Sequence, residues 1–245
     1  FQNVHTLYLG QGLQSGKFSI LADIAPLQGL KLKKLSLCGT AVTDLSPLRG
    51  MELDWLTLSA SSVVDLTPLK GMSLKELQAQ STKIVSLDPL RGMKLEVLNI
   101  SYGNVSELEP LRGMPMTDLN VGVNPGIKSI EPLVGMKLKR LNLYATYVTD
   151  LSVLKGMPLE QFRPPGLARD FSPLKGAPIR ILDMSEHKGP LDWTPLYGIP
   201  LEDYKDIKGP TNEKATLDFL KSCQKTLKFI NRKPAEEFWK SAGKP

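Results

Sequence analysis

The stretch DLSPLRGMELDWLTL, from Asp44 to Leu58, returns along the chain with few changes, as DLTPLKGMSLKELQA from Asp65 and as SLDPLRGMKLEVLNI from Ser86. The Pro of this phrase recurs every 20 to 22 residues, at positions 26, 47, 68, 89, 110, 132, 173 and 195, and Val153 replaces it once. A fixed period of this length predicts a solenoid, in which each repeat packs only against its neighbours.

The second half of each repeat reads LxxLxL, as in Leu53, Leu56 and Leu58. Alternating apolar and polar residues are typical of a short strand with one buried face. Two later apolar positions, occupied by Val63 and Leu66 in this repeat, also recur and predict further rows of a shared core. Each side chain buried in such a row contributes roughly 1.5–3 kcal/mol to folding.

The phrase PL[KR]G predicts one short turn of 3₁₀ helix in every repeat. Pro fits the first helical position, and Gly three residues later ends the turn. The residue before each Pro is the predicted N-cap, at Ser46, Thr67, Asp88, Ser172 and Thr194. The carboxylates two residues earlier form a loop row in which we expect solvation or bonds to backbone amides, at Asp44, Asp65, Glu107 and Asp150.

These residues resemble the leucine-rich repeat family, whose consensus LxxLxLxx(N/C)xL is matched from about Val4 to Tyr204. The resemblance implies an α/β fold: a solenoid with a curved parallel β-sheet on its concave face and short 3₁₀ turns on its convex face. Thr40 and Thr82 stand where most members carry Asn or Cys. This departure indicates a bacterial subtype whose hydroxyl bonds the loop backbone. We predict about nine to ten repeats over residues 1–208, with a longer first repeat, and a C-terminal helical cap over 209–245.

The cap is expected to cover the apolar edge of the last repeat. A helix is predicted to begin at Thr211 or Asn212, followed by a short strand LKFIN, and the covering side chains are Phe219, Phe229, Ile230, Phe238 and Trp239. The tail INRKPAEEFWKSAGKP resembles the end of leucine-rich modules in large bacterial proteins, some of which carry an upstream serine/threonine kinase domain. Since the chain begins with Phe1 and an uncovered strand, we expect a longer protein to precede it.

Two repeats depart from the period. An Asn-Pro-Gly turn adds a residue around Pro125, and Pro164 and Pro165 stand where a strand should continue. We expect regular ladder pairing to be lost at both places. Drift in a tolerant loop is favoured over a functional loop.

No pattern predicts catalysis, a metal or a cofactor. The loop LGQGLQSGKFS has five residues between Gly10 and Gly16, whereas a phosphate-binding loop needs four, with Ser or Thr after its Lys. His5 and His187 lie more than 180 residues apart, and the two cysteines are read as free thiols. No apolar stretch approaches the length needed to cross a bilayer, and none of these residues is predicted to form a signal peptide.

The formal net charge of +6 equals one row of exposed positions in the PL[KR]G turn: Arg49, Lys70, Arg91, Arg112, Lys155 and Lys175. This basic ridge on the convex face could attract polyanions. Because no aromatic residues interleave with it for base stacking, a solvated ridge is favoured and nucleic acid is not an expected partner. A second row follows the repeated Gly and is read as core packing: Met51, Met72, Met93, Met114, Met136 and Met157.

Function is expected on the concave face, where the variable side chains between the strand leucines point away from the core. Strands in register lie about 4.8 Å apart, so equivalent positions form ladders of side chains. The predicted partner-binding residues are Trp55, Glu76, Gln78, Asn99, Asp118, Asn120, Arg140, Asn142, Tyr144 and Arg163. The alternative is that Gln78 and the three asparagines only form an amide ladder exposed to water. We predict a non-enzymatic module that binds a protein or peptide, with regulation of a kinase domain in the same chain and polyanion binding as alternatives.

Overall fold

The structure, a computed structural model, describes residues 5–10, 20–185, 187, 192–206 and 214–242. In this part of the chain, twelve short strands form one sheet whose spatial order follows the chain order. The strands are β1 Thr6–Tyr8, β2 Lys34–Ser36, β3 Trp55–Thr57, β4 Glu76–Gln78, β5 Val97–Asn99, β6 Asp118–Asn120, β7 Arg140–Asn142, β8 Gln161–Arg163, β9 Ile181–Asp183, β10 Asp203–Lys205, β11 Phe229–Ile230 and β12 Lys233–Pro234. All neighbours pair in parallel except β11 and β12. The predicted parallel sheet of a leucine-rich solenoid is confirmed.

The return from each of the strands β1 to β9 passes through a three-residue 3₁₀ turn. The turns in the described ranges are Ala25–Leu27, Ser46–Leu48, Thr67–Leu69, Asp88–Leu90, Glu109–Leu111, Glu131–Leu133, Ser152–Leu154, Ser172–Leu174 and Thr194–Leu196. The repeated Gly follows each turn in the left-handed region, as at Gly50 with a φ of 73°. A residue with a Cβ atom is disfavoured in that conformation, which explains why the position stays Gly.

The predicted N-caps are wrong by one or two residues. Ser46 and Thr67 are the first residues of their turns, and the leucines before them make no side-chain cap. Instead Oδ1 of Asp44 accepts a hydrogen bond from the Ser46 N–H at 2.7 Å, and Asp65 does the same for Thr67 at 2.8 Å. Because the next residue is Pro and has no N–H, the first N–H of the turn is the one that needs a partner.

The core consists of rows that run through the stack, as predicted. Leu56, Leu58 and Val63 have no exposed surface, and Leu66 is 1% exposed. The six methionines of the predicted packing row are 4% to 7% exposed, and Trp193 is also buried. These rows place one face of every strand inside and leave the other face for the surface.

Hydroxyl groups close the loops after β2, β4 and β7, as the sequence predicts. Oγ1 of Thr40 donates to the Leu37 carbonyl at 2.7 Å, and Thr82 and Thr146 make the same bond in their repeats. Asn124 takes this position in the repeat with the extra residue and is fully buried. The sequence reading assigned Asn124 only to a turn, although Met116-Leu119-Val121-Asn124 matches the LxxLxLxxN consensus.

The two irregular repeats differ in their effect on the sheet. At Pro125 the prediction of lost pairing is wrong, because β6 and β7 pair over all three residues and Val123 then donates to the Tyr144 carbonyl at 2.7 Å. The extra residue is absorbed in the turn beyond the ladder. At Pro164 the prediction holds, since the β8–β9 ladder has two residue pairs, while most of the other neighbouring strand pairs between β1 and β10 have three.

Two helices follow the last repeat, α1 Lys214–Ser222 and α2 Ala235–Ala242. Phe219 of α1 is fully buried, with its ring 4.5 Å from that of Trp193. Ile230 is buried too, but Phe229 is 45% exposed, so its predicted role in the cap is wrong. Phe229 pairs with Asp203 in register and therefore faces the exposed side of the sheet. The predicted helix start at 211–212 and the loop at 11–19 lie outside the described residues.

Candidate functional site

The exposed face of the sheet carries two ladders of side chains, and strand register places them as the sequence predicts. The outer ladder is Thr6, Lys34, Trp55, Glu76, Val97, Asp118, Arg140, Gln161, Ile181 and Asp203. The central ladder is Tyr8, Ser36, Thr57, Gln78, Asn99, Asn120, Asn142, Arg163, Asp183 and Lys205. Nine of the ten predicted site residues belong to these ladders, and Tyr144 lies just beyond β7.

The asparagines of the central ladder use their oxygens within their own loops. Oδ1 of Asn120 accepts from the Gly122 N–H at 3.1 Å, and Oδ1 of Asn142 accepts from the Tyr144 N–H at 2.9 Å. Asn99 binds Ser101 in the same way, and its nitrogen donates to Gln80. The proposed ladder of amides that bond from strand to strand is therefore not the observed arrangement. The carboxamide nitrogens of Asn120 and Asn142 donate to no other residue in the described ranges.

Charges on this face are arranged in neighbouring pairs. Nε of Arg140 donates to Asp118 one strand away, and Nε of Arg163 lies 3.6 Å from Oδ2 of Asp183. Lys205 is 3.4 Å from Asp203 on its own strand. These residues lie partly exposed on or beside a depression of about 340 Å³. We define the concave groove by eight of its lining residues: Asp118, Asn120, Arg140, Asn142, Gln161, Arg163, Asp183 and Lys205.

Arg163 is held against an aromatic ring at the edge of the groove. Its guanidinium carbon lies 3.7 Å from the centroid of the Tyr144 ring, which is a cation–π contact. Nε of Arg163 is buried and has no hydrogen-bond partner. Stacking and the nearby Asp183 therefore fix the plane of this side chain.

A second depression, of about 360 Å³, lies where the loops leave the strands. We define this loop-edge pocket by Val123, Pro125, Tyr144, Tyr147 and Leu167. Tyr147 is 55% exposed and Leu167 is 43% exposed, so the pocket presents apolar surface to the solvent. Sequence reasoning missed this pocket, although both irregular repeats, the only signal of it, contribute to its wall.

The first strands carry a separate aromatic pair. The rings of Tyr8 and Trp55 lie 6.4 Å apart, edge to face, across β2. Ser36 and Thr57 are buried although they belong to the exposed central ladder. Tyr8 itself is 67% exposed, so this end of the face offers aromatic surface to a partner.

The basic ridge is exposed but mixed with carboxylates. Arg112 forms ion pairs with both Glu109 and Glu131, and Arg91 pairs with Asp88 at 3.0 Å. Val134 interrupts the row in the repeat after Arg112. The ridge therefore has less unpaired charge than the sequence count indicated.

Residues with acid–base or metal-binding chemistry are dispersed. His187 is buried, its Nε2 lies 2.9 Å from the Ala168 carbonyl oxygen, and burial lowers its pKa. In the described ranges, no cluster of three His, Cys, Asp or Glu residues is placed to hold a metal ion. No helix in these ranges is both long and apolar enough to cross a membrane.

Strand order, 3₁₀ turns and the buried rows define a leucine-rich repeat solenoid. Among solved structures with this fold are two internalins of Listeria monocytogenes. Internalin inlF aligns with a TM-score of 0.68 and 21% identity over 86% of this chain and 64% of its own. Internalin C2 aligns with a TM-score of 0.55 and 30% identity over 58% of this chain and 65% of its own. The alignments thus span just under two thirds of each internalin chain.

No protein-family model matches the chain, and no curated protein is significantly similar to it. The solved structures are therefore the findings that confirm the resemblance to bacterial leucine-rich repeat proteins. This fold presents an extended concave surface, which is the general basis of protein interaction in solenoids.

Proposed function

We propose that the protein is a non-enzymatic interaction module that binds a protein or peptide on the concave face of the solenoid. The observation that carries this proposal is the register of the two ladders. Their backbone spacing is constant from β1 to β10, about 43 Å at 4.8 Å per strand, while the residue type changes at nearly every step. Such a surface can follow an extended partner over its whole length.

The chemistry of this face suits a protein partner. Trp55, Arg140, Tyr144 and Arg163 are of the residue types that contribute most to interface affinity. Three of the four are partly buried, and the fourth, Arg140, is fixed by its bond to Asp118. Side chains that are already ordered lose little entropy when a partner binds.

A pull-down from a lysate of the source organism tests the proposal. The concave variant carries Trp55→Ala, Arg140→Ala and Tyr144→Ala, and the convex variant carries Lys70→Ala and Lys155→Ala. Both are first compared with the wild type by circular dichroism and urea denaturation. We expect a partner that the wild type and the convex variant retain and the concave variant loses. Retention of every partner by the concave variant would refute the proposal.

The two alternatives make different predictions. Polyanion binding requires affinity that falls steeply with salt and disappears when the six basic residues of the ridge are neutralised. The ion pairs of Arg112 count against it. Regulation of a kinase domain stays a prediction from the resemblance of the C-terminal tail. Its target would be an enzyme domain of the same polypeptide, and the sequence that precedes Phe1 distinguishes this alternative from the proposal.

A further inference from the structure

Both departures from the repeat meet at one place on the surface. Pro125 belongs to the repeat with the extra residue, and Leu167 follows the two prolines of the other irregular repeat. The two residues are 42 positions apart in the sequence but line the same loop-edge pocket. Independent drift in two tolerant loops does not explain why both build one concave, largely uncharged wall.

The neighbouring concave groove is rich in hydrogen-bond donors. A Cβ atom placed on Gly122 would lie 3.1 Å from Oδ1 of Asn142 and 3.3 Å from Oδ1 of Asn120. Both oxygens are therefore turned toward the loop edge, where they accept backbone N–H groups. The two carboxamide nitrogens, on the opposite side of each amide, remain available to acceptor groups of a ligand.

Arg163 adds a charged donor between the groove and the pocket. None of the described residues accepts a hydrogen bond from its guanidinium, whose side chain is 27% exposed. The Tyr144 ring holds the guanidinium plane, and a guanidinium in a fixed plane binds a carboxylate through two parallel N–H bonds.

The groove offers an anion hydrogen-bond donors rather than surplus charge. Its three cations, Arg140, Arg163 and Lys205, each lie within 3.6 Å of a carboxylate, in Asp118, Asp183 and Asp203 respectively. The amide nitrogens of Asn120 and Asn142 and the guanidinium of Arg163 are the donors that this lining offers to a ligand. Tyr144 belongs to both depressions, because it stacks under Arg163 and also lines the loop-edge pocket.

We propose that this site binds an acidic segment of a partner protein, with an Asp or Glu carboxylate on Arg163 and Asn142 and a large apolar side chain in the loop-edge pocket. Because Tyr144 is shared, the two partner residues lie within about two positions of each other, at about 3.3–3.6 Å per extended residue. This inference rests on the proposed concave-face binding and adds the chemistry of the partner to it.

A random library of displayed 12-residue peptides tests the inference. The peptides are joined to the carrier protein through their C-termini, so that side chains supply the only carboxylates. We expect enrichment of peptides with Asp or Glu within two positions of Leu, Phe, Tyr or Trp. Enrichment of basic or uncharged peptides, or no enrichment, would overturn the inference.

One enriched peptide is then synthesised with a C-terminal amide. Its affinity for the wild type and for variants shows which residues it contacts. Arg163→Gln and Leu167→Ser are each expected to weaken binding at least tenfold, whereas the convex Lys155→Gln control stays within twofold. Replacing the peptide carboxylate by its amide should weaken binding to the wild type tenfold and change binding to Arg163→Gln by less than twofold. The wild-type half of this comparison does not depend on the folding of a variant.

The outcomes separate the two proposals. If Trp55→Ala abolishes peptide binding and Arg163→Gln leaves it unchanged, the proposed acidic-segment site is wrong. Binding on the concave face would still be supported. Binding that requires a free C-terminal carboxylate, seen with untethered peptides, would likewise overturn the assignment to Asp or Glu. Whether the protein binds a partner on the concave face at all is tested separately, by the pull-down with the concave variant.

Discussion

Asn124 links two successive loops of the stack through one buried side chain. Its nitrogen donates to the carbonyls of Ile100 and Val121 at 2.9 and 3.0 Å, and its oxygen accepts from the Val105 N–H at 2.9 Å. The threonines at the same position in other repeats make one such side-chain bond. In the repeat that has an extra residue, one amide therefore makes several hydrogen bonds to the loop backbone, whereas a threonine hydroxyl makes one.

Asn124→Ala should lower the free energy of unfolding by about 3 kcal/mol, because it leaves several buried backbone groups without a partner. Thr146→Ala removes a single bond to the Leu143 carbonyl and serves as the matched control, with an expected loss of about 1 kcal/mol. Urea denaturation of the purified variants measures both. Equal losses in the two variants would contradict the bridging role of Asn124.

A row of residues just after the strands adopts the left-handed conformation without being Gly. Tyr102 has a φ of 58°, and its side chain is 61% exposed. Tyr147 is exposed to a similar degree but has an ordinary φ. We expect Tyr102→Gly to raise the free energy of unfolding by about 0.5 kcal/mol through relief of strain, and Tyr147→Gly to lower it by about 0.5–1 kcal/mol. Thermal and urea unfolding would refute this if both variants lost stability equally.

At the scale of the element, the 3₁₀ turns are held by aspartates that precede them. Each of these carboxylates accepts hydrogen bonds from the hydroxyl and the backbone N–H of the residue two positions later in the sequence. These bonds hold the carboxyl pKa below its usual value at Asp44, Asp65, Asp150 and Asp192. A depressed folded-state pKa stabilises the fold above the unfolded value of about 4. This stability is lost as the pH falls through the folded-state pKa.

Urea midpoints measured between about pH 5 and about pH 2 should therefore decrease for the wild type. A variant with Asn at these four positions keeps an acceptor oxygen but has no carboxyl to titrate. Its midpoint should decrease less over the same interval. A decrease as large as that of the wild type would show that these turns do not carry the acid sensitivity.

The sequence predicts those features of the fold that recur with the repeat of 20 to 22 residues. Strand register, buried leucine rows and the exposed ladders follow from identical spacing, so each repeat predicts the next. Asn124 was missed because the extra residue at Pro125 hid its match to the consensus. The loop-edge pocket requires Tyr147 and Leu167, from neighbouring repeats, to line one depression, and no local pattern encodes that arrangement. Phe229 was misassigned because its hydrophobicity outweighed its position on the exposed side of β11.

At the scale of the whole molecule, the stack depends on closure of its C-terminal edge. Phe219 packs between the rings of Trp193 and Tyr204, at centroid distances of 4.5 and 6.2 Å. Phe219→Ala should lower the free energy of unfolding by about 3–5 kcal/mol. Phe229→Ala, at an exposed position, is expected to change it by less than about 0.5 kcal/mol.

Hydrogen exchange followed by mass spectrometry locates the effect along the solenoid. Because each repeat contacts only its neighbours, Phe219→Ala should increase exchange first in β9 and β10 and least in β2 and β3. An equal increase in hydrogen exchange in all strands would contradict the role of this cap in closing the stack.

Site-specific photo-cross-linking is a direct test of binding on the concave face. A benzoylphenylalanine residue is placed at Glu76 or Gln161 on the concave face, or at Lys70 or Lys155 on the convex face, and each protein is irradiated in lysate of the source organism. We predict that the same partner is cross-linked from both concave positions and from neither convex position. A partner captured only from the convex positions would contradict the account.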